Sequence, residues 1–275
     1  MIYAINHADS FAKVVMFRQN TFTGYVEQVN QLQFLADASI ELENLDTGEK
    51  EELSIKSKWE SNGYIDEFGL NDSVFMTYYE GKLPLLANHS YQLSVKRANK
   101  TYTARAVVPP KAVLDSIETL TEFTDLDSSY AKLRSNYMAR SAQNYYQVVA
   151  NYLKASYLYD SATANIQKFY VPTRKKSALR TCEINKRYRN TFTFNSAKAY
   201  PLQSLDTVEV KFSLDTYNKE VVDYLVSAAS QPKKSTNPFA EPIYIKYNLQ
   251  DKDIAGIFGF YHTSDTIKKK VLMFR

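Results

Sequence analysis

The sequence predicts a mainly β protein built from two sheet-rich domains, and three observations support this. The chain holds 22 tyrosines and 15 phenylalanines against one tryptophan, and these rings fit pleated, half-buried surfaces. Several segments alternate apolar and polar residues with a period of two, as half-buried strands do. A double proline then interrupts the pattern. With 275 residues, of which 44% are hydrophobic, the chain can form one large core or two ordinary ones.

The first 110 residues read as a small β-sandwich that ends at Pro109-Pro110. Alternation is clear in Ala38–Glu43 and Glu52–Trp59, and it is cleanest in Tyr91–Lys96. A short turn then leads into Thr101–Val108, which completes a hairpin. Neither proline can donate to a strand ladder and both stiffen the chain. The sequence therefore predicts one domain over residues 1–110 and a second over residues 111–275.

The second domain reads as a larger antiparallel β domain. Asp125–Gln143 is the exception, because it is polar and irregular and favours at most a short helix. The segments that favour strands are Ala112–Phe123, Asn144–Ala155, Tyr157–Tyr159, Ile166–Val171, Thr191–Phe194, Thr207–Leu214, Ile243–Asn248, Ile257–His262 and Ile267–Phe274.

One amphipathic helix is predicted near residues 215–229. Asp215 is a suitable N-cap, since its carboxylate can accept the free amide hydrogens of the first turn. Apolar residues follow at helical spacing, including Val221 and Leu225. Ser230-Gln231-Pro232 is expected to end the helix.

Charge and hydropathy exclude several classes of protein. The net charge is +4, with 10 basic against 14 acidic residues in the first 110 positions and 24 against 16 in the rest. This asymmetry favours two units with different surroundings, but it is too small to predict a nucleic-acid partner. No stretch is long and apolar enough for a membrane-spanning helix. The first nine residues read as a strand without a basic n-region, so any leader is expected to lie outside this sequence.

The sequence predicts no catalytic residue, no metal site and no cofactor. His7, His89 and His262 lie far apart and have no metal-ligand spacing. Cys182 has no partner for an internal disulfide. Asp125 and Asp127 favour a solvated loop over a Ca²⁺ site, because further carboxylates are missing nearby. The protein is therefore expected not to be an enzyme. A hydrolase assembled from scattered polar groups is a third hypothesis, beside the two functions given at the end of this section.

The most suggestive polar feature is a run of basic residues that contains a single acidic residue, Glu183. One reading is a solvated hairpin with basic decoration. The other is a contact surface for anionic lipid or an acidic partner, near which each clustered Lys or Arg gains about 1 kcal/mol. The candidate contact residues are Arg174, Lys175, Lys176, Arg180, Lys186, Arg187 and Arg189.

A group of tyrosines between positions 145 and 159 also has two readings. At strand spacing such residues pack within or between sheets. Exposed together, they would instead form a stacking surface for sugars. The group consists of Tyr145, Tyr146, Tyr152, Tyr157 and Tyr159.

Several landmarks, in their order and spacing, resemble a Bacteroidota family called domain of unknown function 4249 (DUF4249). The similarity spans nearly the whole chain. The segments that carry it are Asp9–Val15, Asp37–Leu42, Tyr91–Val95, Val108-Pro109-Pro110, Asn144-Tyr145-Tyr146, Asn237-Pro238-Phe239 and Gly256–Tyr261.

The resemblance implies a location and a type of partner. Members are similar to outer-membrane lipoproteins, often encoded beside SusC-like TonB-dependent transporters, with an Ig-like or transthyretin-like N-terminal sandwich. The implied function is that of a non-enzymatic accessory or interaction subunit of such a transporter, at the cell surface and held by a lipid anchor. The sequence lacks the lipidated cysteine of that pattern, and Cys182 lies mid-chain. The alternative is a glycan- or peptide-binding module for nutrient uptake.

Overall fold

The protein is mainly β in the computed structural model, which confirms the predicted fold class. The structure describes residues 1–18, 33–65, 71–124, 128–140, 144–160, 165–197, 205–234, 245–251 and 254–274. Within these ranges it contains nineteen strands and one helix.

The first half of the chain contributes nine strands. Tyr91, Leu93 and Val95 are all buried, so the cleanest alternation in the sequence marks a core-facing strand, as predicted. The strands are β1 (Ile2–His7), β2 (Phe11–Arg18), β3 (Gln33–Phe34), β4 (Ala38–Asn44), β5 (Lys50–Glu52), β6 (Ser54–Ile65), β7 (Asn71–Pro84), β8 (Ser90–Arg97) and β9 (Lys100–Val107).

The second half contributes ten strands and the helix. The strands are β10 (Val113–Thr124), β11 (Ser128–Met138), β12 (Tyr145–Asp160), β13 (Asn165–Lys176), β14 (Arg180–Thr181), β15 (Arg187–Ala197), β16 (Leu205–Tyr217), β17 (Leu249–Asp251), β18 (Ile254–Thr263) and β19 (Ile267–Phe274), and the helix is α1 (Lys219–Lys234).

One long sheet crosses both halves of the chain, in the order β13-β12-β16-β18-β1-β2-β7-β6. The link between the halves is β1, which pairs with β18 in parallel from Ile2 opposite Gly256 to His7 opposite Tyr261. The neighbouring pairs are antiparallel. The two ends of the path, β13 and β6, approach each other, so the sheet curls strongly.

Two smaller sheets each cover part of this long sheet and enclose a separate core. The four-stranded sheet β5-β4-β8-β9 encloses the first core together with β1, β2 and β18, through residues such as Ile40, Leu93 and Phe260. The three-stranded sheet β10-β11-β15 encloses the second with β12, β16 and β19, through residues such as Leu133 and Phe212.

The change from one core to the other falls near Pro109-Pro110, with one exception. Leu249, Phe258 and Phe260 come from the C-terminal part of the chain, yet they belong to the first core. A division into domains at residue 110 therefore stays a prediction, because a strand from residues 254–263 completes the first core and joins both sheet halves. The Ig-like or transthyretin-like character of the first unit also stays a prediction.

Helix α1 covers the long sheet around β1, β18 and β16. Its Val221 and Val222 pack with Tyr217 and near Ile5 and Tyr261. Close approach depends on Gly259, because an added Cβ there would lie 2.5 Å from Val221 Cγ2. Gly256 likewise allows β18 to lie close to β1, since a Cβ added at Gly256 would lie 2.7 Å from the Ile2 carbonyl oxygen. The glycines of the Gly256–Tyr261 segment thus serve packing.

Three local predictions were wrong. Asp125–Gln143 was expected to be irregular or helical, but Ser128–Met138 is a strand with alternating burial. Asp215 was expected to cap the helix, yet it lies in β16, and Asn218 is the cap: its side-chain oxygen accepts from the Val221 amide at 3.3 Å. The helix also ends at Lys234, beyond Pro232.

A fourth prediction, the strand Ile243–Asn248, was also wrong where it is described. Residues 245–248 are not in a strand, and the nearby strand begins at Leu249. Asn248 instead fixes the neighbouring β18, since its side-chain amide donates to the Phe258 carbonyl at 2.7 Å and its side-chain oxygen accepts from the Phe258 amide at 2.8 Å. Asn237-Pro238-Phe239 lies outside the described residues.

Candidate functional site

The predicted basic surface is divided by the pleat of β13. Arg174 and Lys176 are exposed and lie on one face of this strand, whereas Lys175 points to the other face and is partly buried. Lys175 donates to the Thr193 carbonyl, and its ammonium lies 4.9 Å from the centre of the Phe194 ring. Burial lowers the pKa of Lys175, with repulsion from Lys154 as a second cause. Lys175 is therefore part of the second core's edge.

Arg174 is tied to a buried carboxylate. Its Nη2 lies 3.2 Å from Asp215 Oδ2, and half of the Arg174 side chain is exposed while that of Asp215 is 3% exposed. Lys176 lies beside it, and partial burial followed by repulsion from Arg174 lowers the Lys176 pKa. The charge of Arg174 thus serves an internal pair as well as the surface.

The remaining basic residues are exposed. Lys186 pairs with Glu183 at 2.8 Å, and this pair raises the pKa of Lys186 through the hydrogen bond. Arg180, Arg187 and Arg189 are exposed, and they have no ion-pair partner among the residues that the structure describes. Of the seven predicted contact residues, these three are the best placed to contact a partner.

Asp215 is the centre of a buried polar network that the sequence analysis missed. Its Oδ2 accepts a hydrogen bond from the Tyr217 hydroxyl at 3.0 Å, and its Oδ1 accepts one from the Thr263 hydroxyl at 3.0 Å. Burial, followed by the charge of Asp215, raises the pKa of Tyr217. No local signal marked Asp215, because β16 also carries Asp206, Glu209 and Lys211. The network joins β13, β16 and β18.

Two of the three histidines meet next to this network. His262 is buried; its Nε2 lies 3.1 Å from Asp9 Oδ2 and its Nδ1 lies 3.3 Å from the Pro109 carbonyl oxygen. The ring centres of His7 and His262 are 5.7 Å apart. The His7 Nε2 accepts from the Thr263 amide at 3.3 Å. Sequence spacing could not reveal this, because β1 and β18 lie at opposite ends of the chain.

Cys182 lies away from the histidines, in the second core. Its side chain is buried, and its Sγ is 3.8 Å from the Tyr137 hydroxyl. Burial raises the pKa of the Cys182 thiol, which disfavours the reactive thiolate. Cys182 is therefore a buried residue of the second core.

The tyrosines at positions 145–159 are divided between interior and surface. Tyr146 and Tyr152 belong to the second core, and Tyr145 packs beside helix α1. Nothing is described of the side chains of Tyr157 and Tyr159. The interpretation that these tyrosines pack within the sheets is thus correct for Tyr146 and Tyr152. Because these two rings are buried, they cannot form part of a sugar-stacking surface.

The exposed aromatic surface lies instead on the hairpin of β6 and β7. The only tryptophan, Trp59, is 67% exposed, and Phe75 is 55% exposed. They are opposite each other across the two strands, with ring centres 5.4 Å apart. Ile55, expected to face the core, is 46% exposed on the same face. We call Ile55, Trp59 and Phe75 the hairpin surface.

The hairpin surface is held in shape by neighbouring contacts. Between its apolar residues, the hydroxyls of Ser57 and Thr77 are hydrogen-bonded at 2.9 Å. On the opposite face, the Lys13 and Lys58 ammonium groups lie 5.0 Å and 5.8 Å from the Tyr78 ring centre. Large exposed rings of this kind mark interaction sites in soluble domains.

The described ranges contain neither a metal-binding group of side chains nor a membrane-spanning helix. No group of three or more His, Cys, Asp and Glu side chains there is arranged to hold a metal ion. No helix in the described part of the chain is long and apolar enough to cross a membrane. The predicted loop residues Asp125 and Asp127 lie outside the described residues.

No protein-family model matches the chain, and no curated protein matches it significantly. A function can therefore be inferred only from the geometry of this molecule and from the resemblance to DUF4249.

Proposed function

We propose that this protein is a non-enzymatic, cell-surface outer-membrane lipoprotein that acts as an accessory subunit of a TonB-dependent, SusC-like transporter. The observation on which this depends is the hairpin surface, where Trp59 and Phe75 pair across two strands and remain more than half exposed. Buried at an interface, such rings supply much of the binding energy. The resemblance to DUF4249 supplies the class of partner.

The position of the basic residues supports the same proposal. β6 pairs with β7 and also approaches β13, the strand on which exposed Arg174 and Lys176 lie. A polar rim around an apolar centre is a common arrangement for a protein interface. Charge at the margin mainly speeds association and gives it a salt dependence.

Affinity purification from native membranes tests this proposal. The tagged protein is expected to retain an outer-membrane transporter, and the double variant Trp59→Ser/Phe75→Ser is expected to lose most of it. Phe123→Ser is the matched control, because Phe123 is as exposed as Phe75 but lies on β10. Equal retention by the double variant and the control would reject the hairpin surface, and a preparation without any transporter would reject the function.

The basic residues are best tested at positions whose side chains make no ion pair with any residue that the structure describes. Arg187→Ser/Arg189→Ser removes two exposed charges, whereas changing Arg174 or Lys175 would also disturb the contacts with Asp215 and Thr193. At low salt the double arginine variant is expected to retain less of the partner than the unmodified protein does, and its retention is expected to fall less steeply as salt is raised, because the charges that salt screens are missing. An identical salt dependence would exclude these charges from the interface.

A further inference from the structure

A cleft with a volume of about 750 Å³ lies between the first sandwich and the start of helix α1. This is within the usual size range of small-molecule sites, which often lie where two units meet. Its wall combines Arg105, Val107 and Pro110 from one side with Asn144, Lys219 and Glu220 from the other. None of these residues belongs to the hairpin surface, so the cleft is independent of the proposed transporter contact.

Asn144 is the residue that points to a ligand. It lines the cleft and is only 9% exposed, yet its side-chain amide makes no hydrogen bond with any residue in the described part of the chain. Its amide atoms are not sealed inside the protein, so they are available to a molecule that binds in the cleft. A primary amide offers two donors and an acceptor, which suits an amide or hydroxyl group of a bound molecule.

The beginning of α1 supplies a second, independent set of donors. Asn218 caps the helix by accepting from the amides of Val221 and Val222. The amides of Lys219 and Glu220 have no acceptor among the described residues. Free amides at a helix start, together with the helix dipole, favour a negative group.

The charges of the lining favour an anion with one opposing group. Arg105 donates through Nε to Gln92 at 2.8 Å, which leaves its two terminal nitrogens available. Lys219 adds a positive charge that it shares with Asp223, 2.6 Å away. Glu220 is the acidic residue of the lining and opposes an anion. A bidentate guanidinium suits a carboxylate.

We propose that this cleft binds a small carboxylate that carries an amide group beside its charge, such as the C-terminal end of a short peptide. The carboxylate lies between Arg105 and the first amides of α1. The neighbouring amide pairs with Asn144, and the apolar part of the ligand contacts Val107 and Pro110. The volume is too large for an inorganic anion alone, which would leave Asn144 unpaired.

Binding can be measured by NMR titration of the whole chain with three probes. They are acetyl-alanyl-alanine, the same dipeptide with its carboxylate amidated, and inorganic phosphate. The free carboxylate form is expected to bind most tightly and to saturate at millimolar concentration, with phosphate weaker but measurable and the amidated dipeptide at least about tenfold weaker than the free form. Phosphate binding as tightly as the dipeptide would overturn the peptide class, and no saturation by either anion would overturn the site.

Three variants and one control locate the binding. Arg105→Gln is expected to weaken binding of the dipeptide about tenfold. Asn144→Ala is expected to weaken binding of the dipeptide and to leave binding of phosphate unchanged. Glu220→Gln is expected to strengthen the binding of both anions, and misfolding cannot produce such a gain in affinity. Arg187→Gln, an exposed charge elsewhere, is expected to have no effect. Unchanged binding in Arg105→Gln and Glu220→Gln together would refute the proposed site.

Discussion

The carboxylate of Asp215 accepts a hydrogen bond from the hydroxyl of Thr263 at 3.0 Å, and the same two residues are opposite each other in the β16–β18 ladder. Backbone register and side-chain bonding therefore fix the same pair of strands. Tyr217 and Arg174 complete the shell of Asp215. A single buried charge thus connects three strands of the sheet that runs through both halves of the protein.

Replacing Asp215 with Asn is expected to lower the free energy of unfolding by about 1–3 kcal/mol, because hydrogen bonds to a charged group are the stronger kind. The share from Arg174 is small, since half of that side chain is exposed and solvent screens it. Urea unfolding measures the change. Asp265→Asn is the control, because this carboxylate pairs with Lys111 but is 93% exposed. Equal effects of the two substitutions would contradict a structural role for the network.

The stability of the protein is expected to fall at alkaline pH. Burial raises the pKa of tyrosines in the described part of the chain above the ordinary value of 10.0, with Tyr137 and Tyr217 shifted furthest. These tyrosines include Tyr3, Tyr79, Tyr91, Tyr137, Tyr152, Tyr217, Tyr224, Tyr247 and Tyr261.

The sign of this pH dependence follows from the number of protons that the folded and the unfolded states bind. Below the unfolded pKa both states keep the phenolic proton, so the stabilisation is fully present. Above it the folded state binds more protons than the unfolded state, and stability falls until the folded pKa is passed. Urea unfolding between about pH 9 and about pH 11 should show this loss. Tyr137→Phe should make it shallower, and an unchanged slope in that variant would exclude Tyr137 from it.

A fragment of residues 1–110 is expected not to fold cooperatively. Its core lacks Leu249, Phe258 and Phe260, and removing one buried phenylalanine side chain alone costs about 3–5 kcal/mol. Strand β1 would also lose its partner β18 and become an edge strand. Circular dichroism and thermal unfolding test this. A sharp unfolding transition in the isolated fragment would instead establish residues 1–110 as a self-sufficient domain.

Prediction from sequence succeeded where local pattern alone decides the structure. Tyr91–Lys96 alternates cleanly and is a core strand, and Tyr146 to Tyr152 keep one face buried, as their spacing indicates. It failed for β11, where Ser129, Ser135 and charged residues obscured the alternation. Trp59 was read as part of a half-buried strand, because periodicity identifies a face but not whether another layer covers it.

The amino-acid order by itself determined the β-rich class, the single amphipathic helix and most of the strands, since backbone geometry imposes periods of two and 3.6 on side chains. Only the tertiary structure decided that β18 would insert beside β1. It also decided that Asp215 is buried and bonded to Thr263 instead of capping the helix. The tertiary structure likewise placed the basic residues of β13 on its two opposite faces and placed Asn144 in the wall of a cleft. These contacts join residues that are far apart in the chain. They depend on the summed free energy of packing and hydrogen bonding across whole sheets, and a local sequence pattern contains no information about that sum.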